Sequence, residues 1–151
     1  MHQTVTATIA APTDKVSEIV GDLGTYSEWL DLVSAAEIVE SQDDQPAWLV
    51  TIRAKVGPFA RSKKLRMVRT VNETEPEGAT YCFERTEVDG RRHSAWTLDI
   101  NVASVVEDHS SCEVTMALRY DGGLWTAPLE PILGTFISGA GPDLEAYTNR
   151  S

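Results

Sequence analysis

Two arginines, Arg69 and Arg85, stand in the apolar rows of strand-like runs. Arg69 keeps step with Met67 and Val71, and Arg85 with Phe83. A guanidinium withdrawn from water has to be paired. Each arginine therefore meets a carboxylate, of the protein or of an acidic ligand, or is returned to solvent by a strand end or a bulge. Tyr81 and Tyr120 share the inward parity. Their hydroxyls could donate to a carbonyl and steady an enolate, or serve the structure alone. The histidines offer less. His2 is terminal, His93 keeps step with Ala95 and Thr97 on the outer face, and His109 falls in a turn from Glu107 to Ser111, so all three are expected at the surface. No Gly-rich phosphate loop, HExxH pair or nucleophile elbow occurs. Catalytic residues are left unassigned.

Cys82 and Cys112 lie inside strand-like runs, in no CxxC or His-spaced pattern, and are expected as buried reduced thiols. No metal site and no cofactor is expected.

The elements that carry these residues follow from periodicity. Val5, Ala7 and Ile9 alternate with Thr4, Thr6 and Thr8 in a first strand that stops at Ala11-Pro12. Thr13 or Asp14 can cap a helix whose apolar positions are Val16, Ile19, Val20 and Leu23, and a second short helix is predicted from about Tyr26 to Leu32. Beyond Ser34 the period becomes two. Ala36 and Ile38 start the second strand, and Trp48, Val50, Ile52, Ala54 and Val56 line one face of the third, which Gly57-Pro58 ends with Phe59 in the loop. Leu65, Met67 and Val71 mark the fourth strand, and Tyr81 and Phe83 the fifth. The stretch Val88-Asp89-Gly90-Arg91 supplies the positive backbone angles of a tight hairpin. Trp96, Leu98, Ile100 and Val102 line the sixth strand, and Val114, Met116, Leu118 and Tyr120 the seventh.

After Gly122-Gly123 the apolar spacing from Leu124 to Tyr147 is helical, with a kink or break predicted between Ser138 and Pro142, where Gly139, Gly141 and Pro142 interrupt it. The strand connections are too short for parallel crossovers, so the sheet must be antiparallel with helices over its apolar face, a two-layer α+β domain.

A chain of 151 residues fits one domain, residues 1–151, and its 42% hydrophobic and 24% charged residues suit an ordinary globular protein. Thirteen basic against 23 acidic side chains give a net charge of -10, which argues against nucleic acid as a partner. The basic run from Arg61 to Arg66 reads as a solvated strand end or as an anion or partner site. No apolar targeting stretch and no membrane-length run is visible, which leaves the cytoplasm as the expected compartment.

The opening Ile9-Ala10-Ala11-Pro12, leading through Asp14, Lys15 and Val16 to Tyr26-Ser27-Glu28-Trp29, resembles the START-related helix-grip (SRPBCC) superfamily. That superfamily includes the polyketide cyclase and dehydrase-like proteins and the birch-pollen-allergen family. The run from Val50 to Phe59 is similar to the strand and Gly-Pro turn of its carbon monoxide dehydrogenase-associated group. The resemblance implies a helix-grip fold, a curved seven-stranded antiparallel sheet (β-α-α-β6-α) around a C-terminal helix. It also implies a cavity between sheet and helix, used by different members for lipids, sterols, quinones or polyketides.

In such a fold inward parity sets Trp48, Ile52, Met67, Phe83, Trp96, Leu98, Met116, Leu118 and Tyr120, with Arg69 and Arg85, beneath Leu133, Phe136 and Ile137. These are the candidate ligand contacts, and simple core packing is the alternative for each. The expected function is binding or transport of a small hydrophobic ligand. The alternatives are a polyketide cyclase or dehydrase-type enzyme using the same cavity, and an interaction module docking through the acidic surface or through Lys63, Lys64 and Arg66. The homodimer is left open as a further partner state.

Overall fold

The computed structural model describes residues 2–41, 44–56, 58–105, 108–121 and 130–150. For 56, 59, 108, 109 and 130–138 it describes the backbone alone. The chain runs β1 (His2–Ile9), α1 (Thr13–Val20), a 3-10 helix (Leu23–Glu28), β2 (Val33–Val39), β3 (Ala47–Val56), β4 (Phe59–Glu75), β5 (Gly78–Arg85), β6 (Ala95–Val105), β7 (Asp108–Asp121) and α2 (Glu130–Arg150). The strands form one seven-stranded antiparallel sheet in the order β1-β7-β6-β5-β4-β3-β2. This is the helix-grip arrangement expected of the α+β class.

Alternation decides the inner face. Register pairs such as Trp48 with Met67, Phe83 with Leu98, and Leu98 with Leu118 repeat from strand to strand. A paired set of apolar residues therefore shares one side of the pleat. α1 packs over β5, β6 and β7, the 3-10 helix over β2 and β3, and α2 over β1 and α1. Ile9, Val16, Val20, Phe83, Ile100, Met116 and Leu144 are fully buried in the common core.

Several local expectations are corrected. The second helix is a 3-10 turn beginning at Leu23, three residues before Tyr26. Asp22 caps it, accepting the Gly24 N–H at 2.8 Å. Phe59 is the first residue of β4, opposite Val56, rather than a loop residue. His109 belongs to β7 rather than to a turn. The Asp89-Gly90 segment has the expected positive φ, 75° at Gly90. It sits in a wider loop across residues 86–94, in which Asp89 accepts the Arg91 N–H.

The largest correction lies in β4, where the register shifts between Arg69 and Val71. One extra residue turns the remainder of the strand over. Arg69 faces Phe83 on the inner side, whereas Val71 pairs with Cys82 on the other. Ile38 pairs with Trp48 in the inward row, yet on edge strand β2 it is 75% exposed.

α2 runs from Glu130 to Arg150 with Pro142 inside it, so no break occurs at Ser138–Pro142. Tertiary anchoring outweighs the local propensity cost. A Cβ at Gly141 would lie 2.7 Å from Ala7 Cβ, so only glycine lets the helix sit this close to β1. Glu145 accepts the Ala10 N–H at 3.1 Å, and Tyr147 Oη donates to Glu28 at 2.9 Å. Among the described residues no helix is long and apolar enough to cross a membrane.

Candidate functional site

The inner face divides into two ends. Beneath the 3-10 helix, Tyr26 lies 4.5 Å from Trp29 and 6.3 Å from Phe83, and Trp48 lies 5.8 Å from Phe83, all between ring centroids. Tyr26 Oη donates to the Val20 carbonyl at 2.7 Å. Burial raises its pKa well above the ordinary tyrosine value, with the Tyr81 and Asp22 charges adding to the effect. Arg69 belongs to this end. Its Nη1 donates to the Gly21 carbonyl at 2.8 Å and its guanidinium lies 6.0 Å from the Trp48 ring. Tyr81 packs against Gly21, where an added Cβ would meet its ring at 2.6 Å. Trp48, Phe83, Arg69 and Tyr81 are thus packed against the first helical segment.

The other end is built where β4, β5, β6 and β7 come together near residues 63, 85, 96 and 120. Trp96 and Tyr120 pair across β6 and β7 with ring centroids 4.3 Å apart. Lys63 Nζ lies 5.9 Å from the Tyr120 ring and donates to Ser94 Oγ at 3.3 Å. Arg85 Nη1 donates to both the backbone carbonyl and Oγ of Ser94 at 3.2 Å. Arg85 Nε stands 3.5 Å from Glu87 Oε1, the side chains being 7% and 17% exposed. Glu87 Oε1 is already held by the Arg66 backbone N–H at 2.7 Å.

Arg85 Nη2 lies 3.3 Å from His93 Nδ1, and His93 Nε2 lies 2.9 Å from both oxygens of Asp89. A guanidinium can only donate, so Nδ1 accepts and the imidazole proton sits on Nε2, donated to Asp89. The Arg91 backbone N–H and then His93 hold the Asp89 carboxyl below its ordinary pKa. Burial lowers the Lys63 pKa, with the neighbouring Arg85 charge acting in the same direction and Glu87 opposing.

Two buried donors at this end have no hydrogen-bond partner, Arg85 Nε and Trp96 Nε1. At the first end Arg69 Nε and Ser17 Oγ are in the same state. A cleft of about 250 Å³ opens beside Arg85, lined by Arg85, Glu87, Arg91, His93, Ser94 and Ala95. A cleft of about 420 Å³ separates α1 from the β4–β5 turn, and one of about 520 Å³ lies against outer-face residues Glu84, Thr97 and Arg119. Glu87, Asp89 and His93 bring three donor atoms within 4.8 Å of one another. The Arg85 cation on His93 and beside Glu87 opposes a metal ion there.

The sequence-derived candidates therefore separate. Trp96, Tyr120 and Arg85 gather at one end, with Leu98, Met116, Leu118, Ile52 and Met67 buried on the inner face. Trp48, Phe83 and Arg69 gather at the other. Leu133, Phe136 and Ile137 lie in α2 outside the described side chains. Lys63, Glu87, His93 and Ser94 were not read as site residues from the sequence. Lys63 has the parity of Leu65 and Met67, and that spacing was the available signal. The position of Ser94 depends on the loop and left none.

A family model described as "Polyketide cyclase / dehydrase and lipid transport" matches residues 1–146. No curated protein matches the chain. Human StAR-related lipid transfer protein 5 superimposes with a TM-score of 0.80 at 10% identity, covering 97% of this chain and 74% of that one. A START superfamily protein from Mycobacterium smegmatis gives 0.69 at 14% identity, covering 99% and 97%. The Zhui aromatase/cyclase from a Streptomyces species gives 0.67 at 14% identity, covering 99% and 94%. At these identities the likeness is one of fold.

Proposed function

The chain belongs to the polyketide cyclase / dehydrase and lipid transport family, and from that premise we propose that it binds and carries a small hydrophobic ligand between the inner face of the sheet and α2. The ligand class is a lipid, an isoprenoid or quinone, or a polyketide-like molecule. The observation that carries this reading is Arg85, a guanidinium sunk among apolar residues with one N–H unused. Ile52, Met67, Leu98, Met116 and Leu118 form the apolar wall, opposed by Leu133, Phe136 and Ile137 of α2. Trp96, Tyr120 and Arg85 supply orientation. Trp48, Phe83 and Arg69 close the far end beneath the 3-10 helix. Withdrawing apolar ligand surface from water contributes about 25 cal/mol per Å², and a few polar groups then fix the pose. The names of two structural neighbours, a lipid transfer protein and an aromatase/cyclase, agree with a ligand of this kind.

Native mass spectrometry of the freshly purified protein, followed by organic extraction, tests the reading. A retained compound, or a rise in melting temperature with added lipid, quinone or polyketide, is the expected result. Empty extracts together with unmoved melting across all three classes would end it.

A cyclase or dehydrase reaction is the second reading, favoured by Tyr120 and Arg85 sharing one end. Arg69 and Tyr81 belong to the opposite end and take no part in it. Turnover of a polyketide substrate that survives both Tyr120→Phe and Arg85→Met removes this reading.

A further inference from the structure

The β5–β6 register sets Glu84 opposite Thr97, so its next step would set Arg85 opposite Trp96 on the inner face. Both side chains are more than nine-tenths buried, and each ends in an N–H that nothing in the protein accepts. Buried donors left without an acceptor are rare because each forfeits its hydration without a replacement. Two at neighbouring positions are a recognition feature waiting for an oxygen.

The charges say which oxygen. Lys63 and Arg85 both reach Ser94 Oγ, at 3.3 and 3.2 Å, so two cations share one small volume. A single carboxylate, Glu87, stands against them, and the Arg66 backbone N–H already occupies the oxygen that faces Arg85. The remaining acid nearby, Asp89, is taken up by His93 and the Arg91 N–H. The inner-face cluster therefore carries one positive charge in excess. A neutral carbonyl could accept from both free N–H groups but would leave that charge unbalanced. A carboxylate satisfies both demands, with two oxygens for two donors and a negative charge for the surplus cation.

We propose that this end of the inner face is a carboxylate-binding subsite, in which Arg85 Nε and Trp96 Nε1 hold the acid group of an amphiphilic ligand while Lys63 balances its charge. The subsite rests on the ligand-carrying reading above and narrows it to acids. The cleft beside Arg85 gives the acid group its own approach from solvent. The apolar part extends from there along Leu98 and Leu118. Arg69, whose Nη1 is bound to the Gly21 carbonyl at the far end, is outside the subsite.

The test compares dodecanoate with dodecan-1-ol and methyl dodecanoate, which share the chain and differ at the head. Calorimetric titrations on the full chain are expected to show the carboxylate bound roughly tenfold or more tighter than either neutral form. Trp96→Phe keeps the ring and removes the N–H, and Arg85→Met keeps the length and removes the charge. Both are expected to reduce the preference for acid while leaving the alcohol affinity within about twofold. Equal affinity for all three heads in the wild type overturns the subsite and leaves the carrier reading standing. So does a preference for acid that persists in both variants. Failure of all three to bind removes the subsite together with the reading beneath it. Trp96→Phe keeps the test decisive if Arg85→Met does not fold.

Discussion

Arg85 and Glu87 approach to 3.5 Å within the protein, on a strand end that alternation alone would point toward the core. They sit two residues apart, on the same side of the chain, and Glu87 also anchors the β4 backbone through the Arg66 N–H. A charge pair this sheltered is costly to break from one side, because the survivor stays buried.

Glu87→Ala is accordingly expected to destabilise the fold by about 2–3 kcal/mol, a value reduced from the fully buried case for the residual exposure of Glu87. Glu87→Gln keeps an acceptor for Arg66 and should cost less. Urea unfolding of both variants checks the order, and a Glu87→Ala loss below about 0.5 kcal/mol contradicts the pairing.

Tyr26→Phe removes a hydroxyl that donates to the Val20 carbonyl from a fully buried position. The aromatic packing on Trp29 and Phe83 stays. An unsatisfied carbonyl between α1 and the 3-10 helix should cost about 1–2 kcal/mol, read as a lower urea midpoint with an unchanged slope.

Gly141→Val is expected to lift α2 away from β1, since even a Cβ at that position meets Ala7 at 2.7 Å. Overpacking of this kind costs about 1–3 kcal/mol. Ala7→Gly in the same chain opens the space again, so partial rescue in the double variant is the deciding measurement.

Alkaline pH should weaken the fold. Burial pushes the thiols of Cys82 and Cys112 from 9.0 up to about 11. The folded state therefore holds these protons more tightly than the unfolded chain. That contribution is complete below pH 9 and is lost as the pH rises toward 11. Tyr26, raised by burial, acts in the same direction above the ordinary tyrosine range. Melting temperatures across this interval should fall less steeply in a Cys82→Ala, Cys112→Ala double variant. Slow reaction of both thiols with an aromatic disulfide at pH 8, until denaturant is added, follows from the same shifts.

Much of this architecture was legible as alternation. The inward rows of β3, β6 and β7 were readable because each strand keeps a period of two without interruption. The limits are local and physical. The bulge after Arg69 carries no composition signal, so Val71 was assigned to the wrong face. Gly139, Gly141 and Pro142 suggested a break, yet the close seat of Gly141 on Ala7 and the ties through Glu145 and Tyr147 accompany an unbroken α2. At the site, Arg85 was found by its parity, while Ser94 and His93 reach it only through the path of the 86–94 loop. Parity also marked Lys63, but its place within a basic run made it look like ordinary solvated charge.

The edge position of β2 has a colloidal consequence. A strand with one unpaired side is a template for a second chain, and Ile38 alone would invite it. Exposed Glu37 and Glu40 flank that isoleucine, so two such borders brought together would set anion against anion. The guard is electrostatic rather than steric, and dissolved salt thins it as the screening length contracts.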